Sequence, residues 1–138
     1  DLLAEFEDHV WIIDYKTGIV DRYALKMKQW DELLDEENAS KKDIAFQLQM
    51  YKWLYESRNA NERKEIVPMV ISMRKPSETF PVISPVEAQE ASKGFEPVLN
   101  RLLSEIYDPK LPFAQTNNES TCKLCPFSGG CMRLNQYS

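Results

Sequence analysis

Two short aliphatic and aromatic runs open the chain, parted by a polar break. Leu2-Leu3-Ala4-Glu5-Phe6 and Val10-Trp11-Ile12-Ile13-Asp14-Tyr15 have the composition of strands. Glu7-Asp8-His9 between them is short enough for a hairpin turn. The second run is almost continuously apolar, as expected of a strand covered on both sheet faces, and it stops at Thr17-Gly18. Residues 19 to 38 are polar and acidic with scattered apolar positions, which predicts an irregular excursion holding a short helix around Lys28 to Leu34. From Asp43 to Ser57 the period changes. Ile44, Leu48, Tyr51 and Tyr55 recur at helical spacing with Phe46, Met50 and Trp53 on the flanks, which predicts a helix packed on more than one side. Asn59-Ala60-Asn61 ends it. Ile66 to Met73 reads as a third strand and Thr79 to Ile83 as a fourth, joined by Arg74 to Glu78 with Pro76. Ser84-Pro85-Val86-Glu87 has the form of a capping box with proline at the first helical position. Gly94 and Pro97 interrupt the helix it would start, so the stronger helix is Glu96 to Tyr107, before a loop-like tail from Asp108. A hairpin, a helix, two strands, a helix and a tail make an α/β or α+β protein, with a mixed sheet flanked by helices.

Composition narrows this picture. A chain of 138 residues builds one core, not two. No apolar run approaches the roughly 18 residues of a membrane span, and no signal-peptide pattern opens the chain, so a cytoplasmic protein with no membrane partner is expected. The net charge of −5 argues against a protein that coats nucleic acid by charge alone. It leaves room for an enzyme whose metal ions supply the local positive field. Basic residues do gather at Lys26, Lys28, Lys41 and Lys42, and again at Arg58, Arg63 and Lys64; each group is either a solvated face or a DNA path. The chain begins at Asp1 rather than methionine, so a piece of a longer protein is expected.

The candidate chemistry lies where the second strand runs out. Strand alternation turns Asp14 and Lys16 to one face and Tyr15 to the other. A carboxylate there can hold Mg²⁺, and a lysine beside it can orient an attacking hydroxide or serve a phosphodiester transition state. A hairpin turn on Glu7-Asp8 sets Asp1 opposite Asp14, and one on Asp8-His9 sets it opposite Lys16; either brings a second acid within reach. Without further context, Asp14 and Lys16 read first as a salt bridge at a sheet edge, and the strand alone does not decide for a catalytic pair.

Ile12-Ile13-Asp14-Tyr15-Lys16-Thr17-Gly18 resembles the signature of the PD-(D/E)xK nuclease superfamily, and in particular its RecB/AddB-type branch. Asp1, on the preceding strand, matches that branch's first acid. Gln47-Leu48-Gln49-Met50-Tyr51 matches its Gln-x3-Tyr helix motif, in which Gln47 and Tyr51 share a helix face. The resemblance implies a restriction-endonuclease-like α/β fold with Mg²⁺ or Mn²⁺ held by Asp1, Asp14 and the Tyr15 carbonyl. It also implies Lys16 as the catalytic lysine, and Gln47 and Tyr51 contacting the phosphate backbone or positioning Lys16.

Cys122-x2-Cys125-x5-Cys131 gathers every cysteine of the chain within ten residues. Spacing alone leaves zinc, iron–sulfur and no metal open. The resemblance implies a [4Fe–4S] cluster stapling the tail to the start of the domain. The chain departs from the family in lacking the fourth, upstream cysteine and the N-terminal helix that carries a further acidic or histidine ligand. His9, the single histidine, sits in the turn and is expected at the surface.

One nuclease domain over residues 1–138 is therefore expected, N-terminally truncated, with a catalytic core at 1–107 and a cysteine-bearing tail at 108–138. The implied substrate is DNA. The implied partners are a helicase domain in the same parent chain and a partner helicase subunit acting at DNA ends in recombinational repair. A stand-alone exonuclease of the CRISPR-adaptation type and an inactive DNA-binding scaffold are the alternatives.

Overall fold

The structure, a computed structural model, describes residues 1–35, 42–77, 79–81, 94–112, 114–116, 122–123 and 125–131. The two opening runs pair as an antiparallel hairpin of β1 (Leu2–Glu5) and β2 (His9–Lys16). Leu2 faces Ile13 and Glu5 faces Val10, so the turn is Glu7-Asp8, closed by the Phe6 amide donating to the His9 carbonyl at 2.9 Å. Strand β3 (Glu65–Ser72) runs parallel to β2, and β4 (Thr79–Pro81) runs antiparallel to β3. The result is a mixed sheet in the order β1-β2-β3-β4. The expected extension of the fourth strand to Val82 and Ile83 lies outside the described residues, as do the capping box at 84–87 and Lys41.

A parallel β2–β3 pair needs a long crossover, and the segment between them supplies one. It passes through a 3-10 turn at Trp30–Leu33, inside the range expected to be helical, and then through helix α1 (Asp43–Arg58). Helix α1 lies on the sheet face that carries the even-numbered residues of β2. Tyr51 and Tyr55 pack on Val10, Ile12 and Ile66, while Leu48 and Ala45 share a core with Val70. Its other flank meets helix α2 (Phe95–Tyr107), where the Phe46 and Phe95 rings stand 5.4 Å apart. Contacts on both sides explain apolar residues around most of α1's circumference. Helix α2 buries Phe95, Val98 and Leu99, the i, i+3, i+4 stripe of a helix with one covered face. Gly94 caps it, and Pro97 falls in the first turn, where no intrahelical N–H bond is lost; the expected interruption is therefore the start of the helix.

The core includes Leu25, Leu48, Val10 and Val70, each shielded almost completely. At about 1.5–3 kcal/mol per fully buried aliphatic side chain, such residues hold the two layers together. His9 departs from expectation. It is half-buried, stacked on Phe6 at 4.4 Å and tilted against Trp11 at 5.3 Å, because the tight turn folds Phe6 back over it.

Candidate active site

Two hydrogen bonds shape the end of strand β2. The Lys16 carbonyl accepts from the Met73 amide at 2.8 Å, and the buried Ser72 hydroxyl donates to the Gly18 carbonyl at 2.9 Å. These bonds fix the Thr17-Gly18 turn, and with it the final residues of the strand. Asp14 is 3% exposed, so this carboxylate sits inside the fold at a place where most strands carry an aliphatic residue.

Lys16 Nζ lies 3.0 Å from Asp14 Oδ2 and donates to Gln47 Oε1 at 2.8 Å. Gln47 Nε2 in turn donates to the Tyr51 hydroxyl oxygen at 2.8 Å, and that hydroxyl donates to Asp1 Oδ2 at 3.2 Å. The direction of this relay follows from its ends. An ammonium only donates and a carboxylate only accepts, so the Gln47 amide must turn its oxygen to Lys16 and the Tyr51 proton must point to Asp1. Five side chains from β2, α1 and the residue preceding β1 thus form one connected chain. The hairpin decides between the two registers considered: continuing the Leu2–Ile13 pairing by one step sets Asp1 opposite Asp14, not Lys16. Asp1, Asp14 and Lys16 then share the sheet face on which α1 lies, and Tyr15 points away, half exposed.

The donor set suits a hard divalent cation. Asp14 Oδ2 is buried and accepts no hydrogen bond among the described residues, with Lys16 approaching it only as an ion-pair partner. A buried carboxylate oxygen with no hydrogen bond is left with capacity for a ligand. Among the described residues no three His, Cys, Asp or Glu side chains converge on one point. That does not disfavour Mg²⁺, which is held by one or two carboxylates together with substrate phosphate oxygens and water. Cys122 and Cys125 are half-buried, and Cys131 is exposed. Their turns are held by backbone bonds, Cys125 amide to Cys122 carbonyl and Cys131 amide to Phe127 carbonyl, both at 3.2 Å.

Lys42, expected on either a solvated face or a DNA path, lies on neither. Its side chain is buried, and its ammonium donates to the Tyr23 carbonyl at 3.1 Å and to the Lys26 carbonyl, with Glu32 3.7 Å away. It fastens the excursion after β2 to the start of α1. No local signal marks a lysine for such a role. In the second basic group Lys64 pairs with Glu5 at 3.6 Å, whereas Arg58 and Arg63 are exposed.

Comparison with protein-family models matches residues 1–132 to the PD-(D/E)XK nuclease superfamily. The mixed sheet with two helices is consistent with the restriction-endonuclease-like fold of that group. Neither the curated proteins nor the solved structures gave a match.

Proposed function

The chain belongs to the PD-(D/E)XK nuclease superfamily, and on that premise we propose that it is a divalent-metal-dependent deoxyribonuclease of the RecB/AddB type, working within a helicase–nuclease at DNA ends. The observation that carries this reading is the connected chain Asp14–Lys16–Gln47–Tyr51–Asp1. Its residue types and order coincide with the two motifs by which the sequence resembles that branch. An ordinary edge salt bridge would not require a glutamine and a tyrosine from a helix to complete it.

In this reading Asp1 and Asp14, with the Tyr15 carbonyl, would hold Mg²⁺ or Mn²⁺. When bound, the cation supplies charge neutralisation at the phosphate and lowers the pKa of a bound water. The side chains do the rest. Lys16, anchored by Gln47, keeps an ammonium where negative charge develops on the attacked phosphate, and it is preorganised there rather than recruited. Tyr51 holds the Asp1 carboxylate toward the site. Cys122, Cys125 and Cys131 would furnish three of the four ligands of an iron–sulfur cluster, but the described geometry does not gather them, and no catalytic step passes through them. Iron and sulfide content of anaerobically purified protein would measure that separately.

The direct test is cleavage of labelled DNA with Mg²⁺ or Mn²⁺, comparing the unsubstituted chain with Lys16→Ala. The substitution is expected to lower kcat about 10²- to 10³-fold, as for loss of a preorganised electrostatic donor. Equal cleavage by both proteins would remove Lys16 from the mechanism.

A further inference from the structure

Asp14 Oδ2 is claimed from two directions. It is buried and accepts no hydrogen bond among the described residues, which leaves it open to a cation, yet the Lys16 ammonium already stands 3.0 Å from it. A carboxylate withdrawn from water is tolerated where an opposite charge compensates it, and Lys16 supplies that charge. The two partners are not equally free to move. The Asp14 side chain is 4% exposed and the Lys16 side chain 30%, so the ammonium can withdraw from the pair and the carboxylate cannot.

Lys16 also has a second partner to withdraw to. Its ammonium donates to Gln47 Oε1 at 2.8 Å, and Gln47 is steadied from behind by donating its own amide to the Tyr51 hydroxyl, also at 2.8 Å. The ammonium is thus shared between a charged partner on its own strand and a neutral acceptor on α1. A divalent cation drawn to Asp14 carries the same sign of charge as Lys16. Like charges a few ångströms apart in a partly dry site repel far more than they do in water. Each therefore weakens the hold of the other on Asp14.

We propose that Lys16 is a resident counter-ion that competes with the divalent cation for Asp14 Oδ2, and that Gln47 is a positioning residue that tilts this competition toward the cation. Lys16 lowers metal affinity, and Gln47 raises it by drawing the ammonium to the helix side. Two side chains joined by one hydrogen bond so act in opposite directions, and Gln47 acts only through Lys16. The arrangement keeps the buried carboxylate compensated at every stage, by the ammonium before the cation arrives and by the cation afterwards. This rests on the reading of Asp14 as a metal-holding carboxylate of a nuclease, and adds to it a control over metal occupancy.

The test is calorimetric titration of Mn²⁺ into the whole chain at one fixed pH and without DNA, with thermal melts recorded beside it. Lys16→Met keeps the apolar stem, removes the charge, and is expected to tighten Mn²⁺ binding about tenfold, a usual size for coupling between linked sites. Lys16→Arg keeps the charge and should bind as the unsubstituted chain does. Gln47→Leu should weaken Mn²⁺ about fivefold. The double variant should bind as Lys16→Met alone, because no ammonium is left for the glutamine to hold. Lys52→Met removes a charge from the same helix, where Lys52 pairs with Glu56, and should leave binding as it was. Without Lys16 the Asp14 carboxylate is buried alone, so Lys16→Met should melt lower without metal and gain more from Mn²⁺ than the unsubstituted chain. A variant too unstable to titrate that Mn²⁺ restores supports the proposal in the same way; one that Mn²⁺ does not restore counts against it. Affinity unchanged or lowered in Lys16→Met would overturn the competition, as would no Mn²⁺ binding by either it or the unsubstituted chain. Equal tightening by Lys52→Met would replace it with diffuse charge. Unchanged binding in Gln47→Leu, or a loss that persists in the double variant, would overturn the part given to Gln47. Failure of the nuclease reading alone would look different: the Mn²⁺ pattern as described, with no DNA cleavage by the unsubstituted chain.

Discussion

At the scale of single residues, position on a strand or helix says which side chains can meet, and burial says what the meeting costs. Asp14 and Lys16 share a face by strand alternation alone, and Gln47 and Tyr51 by helix spacing. Both pairings are legible without any fold. That Gln47 turns its oxygen to Lys16 is different, because it depends on where α1 crosses β2. The hairpin tip offers a separate check at this scale. The hydrogen bond and charge of His9 hold the Asp8 carboxyl below its ordinary value of 3.8. A carboxyl lowered in the fold contributes stability above pH 3.8, and that contribution is lost as the pH falls through the lowered value. Asp8→Asn is therefore expected to flatten thermal stability against pH in the acid range while leaving the melt at neutral pH only slightly lower. An unaltered acid limb in melts recorded across that range would contradict the pairing.

At the scale of elements, both strands of the hairpin, α1, the third strand and the stronger part of α2 are legible in the sequence, because each carries its period over enough residues to be read. The excursion after β2 is legible only as irregular, with its short helix placed correctly. What shapes it is Lys42, whose ammonium reaches two backbone carbonyls of a segment far away in sequence. Lys42→Ala is expected to destabilise the fold by about 1–3 kcal/mol, since carbonyls shaped around a donor lose it. Lys42→Met keeps the apolar stem and removes only the donor. If the ammonium matters for its bonds, Met should restore little of the loss in urea unfolding. Stability equal to that of the unsubstituted chain would instead assign Lys42 a packing role.

At the scale of the whole molecule, the hairpin, the crossover helix and the parallel strand bring Asp1, Asp14, Lys16, Gln47 and Tyr51 to one side of the sheet. Removing divalent metal with a chelator is expected to abolish cleavage while leaving far-UV circular dichroism unchanged. The core is built of Leu25, Leu48, Val10, Val70 and their neighbours, not of metal ligands. Collapse of the spectrum on chelation would point to a structural metal.

By itself the sequence determined the order of elements, the Asp14–Lys16 and Gln47–Tyr51 pairs, and the family they point to. All of these are local patterns, written in periods of two and 3.6 residues. Only the tertiary structure chose the Glu7-Asp8 turn over its neighbour, joined the two pairs through Lys16 and Gln47, and buried Lys42. Those outcomes depend on how elements far apart in sequence pack against one another. A turn shifted by one residue moves every partner across the hairpin, and nothing in the turn's own composition decides between the two positions.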